Sequence, residues 1–303
     1  MKCKKCGDTA ALDLRRHNAA FCTPHFIEFF RKQVREAIRH YRMFEPDDTV
    51  MVAVSGGKDS LALWDVLIEE GYRTCGVYLD LGIFDYSVES RAKCEAFAKA
   101  RSQTLVIERV AEAVGAPIPV VQKATRRPTC SACGLSKRYL INRAALTHGY
   151  TVAATGHNLD DEAATLFGSV MHWQTDALSR QSPMLPSTHP KLIRRVKPLY
   201  RLSERETAAY AFLRGIDYIV EECPFARGAT SLAHKDVLNR MEEASPGAKH
   251  NFLFGFLDKA RAAFEAAESV TLLECASCGQ VTTGEICAFC KLADQVKRHT
   301  AAS

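Results

Sequence analysis

The chain has 303 residues, with 47% hydrophobic and 25% charged residues and a formal net charge of +5. That is an ordinary globular composition, which excludes collagen-like, fibrous and wholly disordered chains, and the length suggests about two domains. No apolar run approaches the ~18 residues of a membrane span, and Met1-Lys2-Cys3-Lys4-Lys5-Cys6 lacks the apolar core of a signal peptide, so a cytoplasmic protein with no membrane partner is expected.

The first predicted element is a metal knuckle. Cys3 and Cys6 form a CxxC pair, and Cys22 with His25 forms CxxH after 15 intervening residues. Four soft ligands in two knuckles form the usual closed tetrahedral zinc site. A helix is expected next, because Phe26, Phe29, Phe30, Val34, Ala37, Ile38 and Tyr41 recur at helical spacing. Thr49–Val54 reads as a buried strand and runs straight into Ser55-Gly-Gly-Lys-Asp-Ser60, after which Leu61, Leu63, Trp64 and Leu67 mark a second helix that Gly71 ends. Strands are predicted at Arg73–Leu79, Thr104–Ile107 and Thr151–Thr155, with helices at 87–101 and 134–148. Residues 172–191, with Pro183, Pro186 and Pro190, read as a loop or linker, and 203–214 and 231–266 as helical. Cys275, Cys278, Cys287 and Cys290 close the chain as a second set of four zinc ligands. Alternating helices and near-continuous apolar strands predict an α/β fold, a doubly wound parallel sheet flanked by the two zinc modules.

A glycine-rich turn between a strand and a helix is suited to phosphate. The backbone closes on the anion, and the helix N-terminus offers free amides and a positive dipole. Lys58 adds a point charge, Ser55 and Ser60 add hydroxyls, and Asp59 offers a magnesium ligand. The pattern is not the Walker type, which places four residues between its first glycine and Gly-Lys. Gly156-His-Asn-Leu-Asp-Asp161 opens a later helix with two adjacent carboxylates, which suit a cation or the orientation of a base; an N-cap with an acidic first turn is the plainer reading.

Five cysteines remain once the two zinc sets are assigned. Cys75 and Cys94 fall within a strand and a helix and read as small buried hydrophobes. Cys130 and Cys133 form a third CxxC, and Cys223 lies far downstream. Residues 113–159 contain no Asp or Glu, while Lys123, Arg126, Arg127, Lys137, Arg138 and Arg143 give six positive charges. Such a field attracts a polyanion and lowers thiol pKa values. Three thiolates fit a [4Fe–4S] cluster with one exchangeable iron position, a persulfide with a resolving thiol, or a lone disulfide, the last disfavoured in cytosol. Spacing alone leaves the first two open.

Ser55-Gly-Gly-Lys-Asp-Ser60 resembles the pyrophosphate loop of the PP-loop ATP pyrophosphatases, which adenylate a carbonyl oxygen and release AMP when a nucleophile attacks. GHNLDD narrows the resemblance to the RNA-modifying members. The N-terminal knuckles, SGGKDSLALWDVL, CSACGLSKRY, ATGHNLDDEA, the EECP around Cys223, PGAK and the C-terminal CxxC pair together resemble the tRNA 5-methyluridine 2-sulfurtransferases. The resemblance implies an oxygen-sensitive [4Fe–4S] cluster on Cys130, Cys133 and Cys223. It implies an ATP site at Ala53, Ser55, Gly56, Gly57, Lys58, Asp59, Ser60, Leu79, Lys137 and Gly156, and a catalytic need for Lys137 and Asp161 beside Asp59. It also implies a tRNA substrate, a ubiquitin-like sulfur carrier ending in a thiocarboxylate, and a homodimer. Four parts are expected: a zinc finger over 1–25, a catalytic domain over 26–220, a helical segment over 221–270 that completes the cluster site, and a zinc finger over 271–303. A 2-thiocytidine-type thiolase and a zinc-finger RNA-binding protein with a non-catalytic ATP site are the alternatives.

Overall fold

A computed structural model describes residues 1–226, 228–264 and 271–301. The N-terminal module is built on the hairpin β1 (Leu12–Leu14) and β2 (Ala19–Phe21). Helix α1 (Thr23–Tyr41) begins earlier than the phenylalanine pattern suggests, because Pro24 sits in its first turn, where the missing amide costs nothing. Its Phe26, Phe30, Val34, Ala37 and Ile38 are buried along one stripe.

The central sheet comprises β3 (Thr49–Val54), β4 (Arg73–Asp80), β5 (Leu105–Arg109), β6 (Val152–Thr155), β7 (Met184–Leu185) and β8 (Arg194–Val196). The strand order is β5-β4-β3-β6-β8-β7, parallel throughout except that β7 runs antiparallel to β8. The expected doubly wound sheet is therefore present, with an added antiparallel edge. Residues 172–191 are not a plain linker: they hold α8 (Thr175–Ser179) and β7.

Alternation along the strands builds two cores. Val50, Val52 and Val54 join α1, α2 (Lys58–Glu69), α3 (Phe84–Ala100), α7 (Leu159–Met171) and α9 (Glu204–Leu213) on one face. Met51, Val77 and Leu79 join α4 (Val110–Val114), α5 (Ile118–Thr125) and α6 (Thr129–Thr147) on the other. In the first layer Asp65, 1% exposed, accepts from Arg101, from the Tyr210 hydroxyl and from Arg214. The three donors satisfy a buried carboxylate and fasten α2, α3 and α9 together.

The helix expected over 231–266 is not continuous. It breaks into α10 (Thr230–Ala244) and α11 (Ala248–Gly255) at Ser245-Pro246-Gly247, with Gly247 at φ +97. A proline has no amide for the ladder and glycine takes the left-handed turn. Residues 265–270, which contain the end of that expected helix and the boundary expected before 271, lie outside the described residues. The C-terminal module consists of the hairpin β9 (Leu273–Glu274) and β10 (Val281–Thr282) and α12 (Ala288–Ala301). It docks on α6, where Phe289 stacks on Tyr139 at 3.6 Å and Asn142 donates to Gln280 at 2.6 Å. The N-terminal module is held to α9 by Arg16, whose Nε donates to Glu206 at 3.1 Å. Among the described residues, no helix is long and apolar enough to cross a membrane.

Candidate active site

Chain order and sheet order place the site. From β3 the chain winds outward to β4 and β5, then returns to lay β6 on the other side of β3. The carboxyl ends of β3 and β6 therefore diverge at a switch point, where α/β sheets bind ligands. A cavity of about 290 Å³ lies there, near the lower end of small-molecule sites (~300–1,000 Å³). Ala53, Ser55, Asp59, Ser60, Leu79, Lys137 and Gly156 line it, together with Tyr86, Ser87 and His157. Gly56, Gly57, Lys58 and Asp161 stand outside that lining.

The loop is held by its own hydroxyls. The Ser55 amide donates to Ser60 Oγ at 3.0 Å, and Ser60 Oγ donates to the Gly57 carbonyl at 3.0 Å. Two glycines are required by contact. Gly56 is at φ +76, and a Cβ there would lie 2.4 Å from the Ser90 carbonyl oxygen; a Cβ on Gly156 would lie 2.8 Å from the Asp59 carbonyl carbon. The α7 turn and the phosphate loop are thus packed backbone to backbone.

A ring of five charges surrounds the loop. Lys58 donates to Asp59 at 3.1 Å and to Glu204 at 2.8 Å, while Lys235 pairs with Asp161 at 2.6 Å and Glu204 at 3.0 Å. Burial raises the Asp59 pKa, Lys58 opposes the rise, and Asp161 adds to it. Burial alone would also raise Glu204, but Lys58 and Lys235 hold it down at about 2. Burial would lower Lys58 and Lys235, yet the carboxylates around each push both upward. Glu204 and Lys235 carry no local motif and are absent from the sequence-derived site. Asn158 is a further member: it caps α7 by accepting from the Asp160 and Asp161 amides, and its Nδ2 donates to Asp59 at 3.1 Å. The acidic pair divides its work. Asp160 is buried, bonded to Lys249 and to the Glu204 amide, whereas Asp161 completes the capping box and faces Lys235. The capping reading of this pair therefore holds structurally, and Asp161 keeps a side toward the charge ring.

Cys130 and Cys133 do not precede their helix but lie in the first turns of α6, which starts at Thr129 behind Pro128. Helical spacing puts Cys133 and Lys137 on one face, four residues apart. Burial pushes the Cys133 thiol up, and the Lys137 ammonium beside it pulls the other way; Cys223 and Cys130 also bear on it. Lys137 thus touches both the cavity and the cysteine group. Cys130 Sγ lies 3.6 Å from the Phe225 carbonyl, so the loop carrying Cys223 closes over the start of α6. Cys75 and Cys94 are 3% and 0% exposed, as small buried hydrophobes.

Among the described residues, two groups draw four ligand atoms within 4.8 Å of one another: Cys3, Cys6, Cys22, His25, and Cys275, Cys278, Cys287, Cys290. A tetrahedral ion with ~2.3 Å sulfur bonds needs sulfur pairs about 3.8 Å apart. The Cys6–Cys22, Cys275–Cys290 and Cys278–Cys287 pairs lie at 3.7, 3.9 and 3.8 Å, and His25 Nδ1 is 3.1 Å from Cys22 Sγ. Both sets fit a zinc ion. Among the described residues, Cys130, Cys133 and Cys223 do not draw together that closely.

Two further basic stretches, 31–42 and 191–205, differ from the central one in how much charge remains free. Arg31 and Arg35 pair with Glu70, and Arg39 with Glu36, so 31–42 offers fewer cations than its sequence suggests. Lys191 and Lys197 likewise pair with Glu274 and Glu162. Of the six central cations only Arg143 has a carboxylate partner among the described residues, Glu108 at 2.8 Å.

A PP-loop nucleotide site on a doubly wound sheet defines the class. Residues 28–224 match the family model of the PP-loop domain, and residues 2–27 that of the N-terminal LIM domain of 2-thiouridine synthetase TtuA. The chain is 50% identical over 298 residues to a tRNA-5-methyluridine(54) 2-sulfurtransferase of Thermus thermophilus, covering 98% of this chain and 92% of that one. It is 43% identical over 291 residues to the protein of the same name from Pyrococcus horikoshii, covering 96% and 93%. A solved structure, the U34-tRNA thiolase NcsA from Methanococcus maripaludis with its [4Fe-4S] cluster, shares the fold with a TM-score of 0.83 at 24% identity, over 97% and 96% of the two chains. The chain belongs to the tRNA-5-methyluridine 2-sulfurtransferase family of PP-loop enzymes. It is an enzyme of tRNA 2-thiolation.

Proposed function

We propose that the chain uses ATP to replace the C2 oxygen of a tRNA uridine by sulfur, with the T-loop 5-methyluridine as target. The name shared by its relatives supports that position. An amide-like C2 carbonyl is a poor electrophile with a poor leaving group. Attack of its oxygen on the α-phosphorus of ATP expels pyrophosphate and cures both faults. Sulfur then adds to C2, and AMP leaves with the oxygen.

In this reading the phosphates lie over Ser55, Gly56, Gly57, Lys58, Asp59 and Ser60 at the α2 N-terminus, where amides and dipole favour an anion. Ala53 and Leu79 border the adenine, and Gly156 lets the α7 turn approach the loop. Asp59 and Asp161 would hold magnesium, two carboxylates being a suitable anchor for that ion. Lys58 exchanges Glu204 for phosphate, and Lys58 with Lys137 offsets the charge that develops at the α-phosphate. Cys130, Cys133 and Cys223 are the proposed ligands of a [4Fe–4S] cluster, which when bound supplies an iron with an exchangeable position for sulfur. The contact of Lys137 with both the cavity and Cys133 carries the proposal, because it puts ATP chemistry and sulfur chemistry on one side chain.

The two terminal sets would bind structural zinc. The unpaired cations Lys123, Arg126, Arg127 and Arg138, with Arg195, would meet tRNA phosphates, contacts that position without specifying. A ubiquitin-like carrier with a C-terminal thiocarboxylate would supply sulfur in a cytoplasmic homodimer, and the divisions at 25, 220 and 270 follow these roles. The test is AMP release with a tRNA transcript, followed by mass spectrometry of its nucleosides. The expected result is tRNA-dependent AMP and a 2-thio-5-methyluridine-type nucleoside, both abolished in Asp59→Ala. Thiolated cytidine, or AMP release from the Asp59 variant, would refute the assignment.

A further inference from the structure

The turn between β4 and α3 presents a side chain that neither the core nor the nucleotide cavity explains. Phe84 has φ +42 and its residue is 67% exposed. The left-handed region costs an L-residue roughly 1–2 kcal/mol, and a bulky aromatic there is a true outlier. The backbone on either side is pinned. The Gly82 amide donates to Asp80 Oδ1 at 3.0 Å, and the Leu81 carbonyl accepts from the Ile118 amide at 3.0 Å. Ile83 is 1% exposed; its amide donates to Ser87 Oγ at 2.8 Å, and its carbonyl accepts from the Ser87 amide at 3.0 Å. A frame bonded on both sides thus holds an apolar ring out toward solvent. Strain kept in this way clusters at functional sites.

Among the described residues, the ring has one aromatic companion. Phe225 lies with its centroid 6.4 Å away and its plane tilted by 31°. Phe225 belongs to the loop that carries Cys223, and its carbonyl is the one beside Cys130 Sγ. Two and three residues beyond Phe84, Tyr86 and Ser87 line the nucleotide cavity. The aromatic pair therefore stands where the cavity, the cysteine group and solvent meet.

A uridine buried in a tRNA loop must leave its stack to be adenylated, and it then loses the neighbours on its faces. A flat apolar surface at the site replaces them, and aromatic rings do so without regard to base identity. We propose that Phe84 and Phe225 form the platform on which the extruded pyrimidine stacks while its C2 oxygen faces the ATP site. This deepens the tRNA-thiolation reading and rests on it.

The experiment uses full-length, metal-loaded protein and a T-arm stem–loop RNA with 5-bromouridine at the 5-methyluridine position. 5-Bromouracil resembles 5-methyluracil in shape and crosslinks on near-ultraviolet irradiation to aromatic rings that stack on it. Peptide mapping is expected to find the crosslink on Phe84 or Phe225. A crosslink elsewhere, or RNA that binds without one, overturns the proposal. In parallel, Phe84→Ala is expected to lower kcat/KM for the RNA by about ten- to a hundred-fold. Phe84→Trp should restore it, and Phe84→Leu, equally apolar but without a π face, should not. Wild-type rates in the leucine variant would overturn stacking. So would a defect confined to sulfur delivery from the carrier with crosslinking intact, since the rings would then serve a protein tail. If the wild type forms no RNA-dependent AMP, the functional reading fails by itself, while the crosslink still reports on the platform.

Discussion

Replacing Gly56 by alanine tests the packing of the phosphate loop against α3. The new methyl would lie 2.4 Å from the Ser90 carbonyl oxygen and 2.9 Å from Ser90 Cα, both main-chain atoms that cannot rotate away. The loop has to move by about 1 Å to reach ordinary contact distance. Keeping φ at +76 costs an alanine roughly 1–2 kcal/mol. The movement also stretches the bond from the Ile219 amide to the Gly56 carbonyl, now 2.9 Å, for about 1 kcal/mol more. The sum is about 2–3 kcal/mol, which lowers Tm by roughly 4–12 °C at ~2–4 °C per kcal/mol. The same movement misplaces the loop amides, and ATP affinity is expected to fall at least ~10-fold, since 1.4 kcal/mol is a factor of ten. Gly57→Ala is the control. Its φ is −81 and a Cβ would meet only Ser55 Oγ, at 3.5 Å. Its stability should stay within about 1 kcal/mol of wild type, because an alanine compatible with the backbone restricts the unfolded chain. Thermal unfolding and ATP titration of both variants check this. Equal Tm shifts for the two would refute the contact argument, as would a Gly56→Ala protein with wild-type stability and ATP affinity.

Glu206 is almost wholly buried; burial would raise its pKa, but His17 and Arg16 hold it at about 2, against 4.5 for a free side chain. The folded pKa is depressed, so the stability it lends is fully present above pH ~4.5 and is lost as pH falls through about 2. Glu206→Gln should therefore cost about 3 kcal/mol at pH 7, at 1.36 kcal/mol per unit, with the difference shrinking below pH ~4.5; urea unfolding at several pH values measures it. Cys278→Ser is expected to reduce bound zinc from two ions per chain to one by elemental analysis, and to speed proteolysis near α6, on which the module docks through Phe289. Cys130→Ala should lose the visible absorbance of an anaerobically reconstituted cluster and its activity, whereas Cys75→Ser, altering a buried thiol that does not line the cavity, should keep both. An inactive Cys75 variant that still folds would show the cysteines to be wrongly sorted.

Local chemistry was legible where the pattern is local. Thr49–Val54 is an unbroken apolar run followed at once by Ser55-Gly56-Gly57, so strand, loop and helix follow from one stretch of chain. The zinc sets were legible because each pairs two knuckles at short range. The start of α6 was not: Cys130 and Cys133 read as preceding a helix, yet Pro128 fixes its N-terminus and takes the pair inside. β8 is three residues, two of them arginine, and owes its place to pairing with β6 rather than to alternation. The break at Pro246-Gly247 follows ordinary proline and glycine rules, but apolar residues on both sides mask it. Glu204 and Lys235 were invisible for a different reason. Their partners lie 146 and 74 positions away in the chain, on Lys58 and Asp161, and only the tertiary fold closes that ring.

The placement of α6 would let the proposed ATP and sulfur chemistry share one site. Cys130, Cys133 and Lys137 occupy successive turns of one face, so no loop separates two of the three proposed cluster ligands from the lysine that lines the cavity. The same face runs on into Leu140 and Ala144, both fully buried, and Tyr139 farther round the helix stacks on Phe289. The C-terminal zinc module thus bears on the far turns of the helix whose first turns carry the cysteines. A helix rises 1.5 Å per residue, so Cys133 and Lys137 sit about 6 Å apart along its axis. In the proposed reaction, a rigid spacer of that length would fix the distance between its sulfur and phosphate ends, which a flexible loop would leave to chance. Loss of the module should therefore disturb catalysis through α6 even though its cysteines, all four turned to one metal site, have no position open for chemistry.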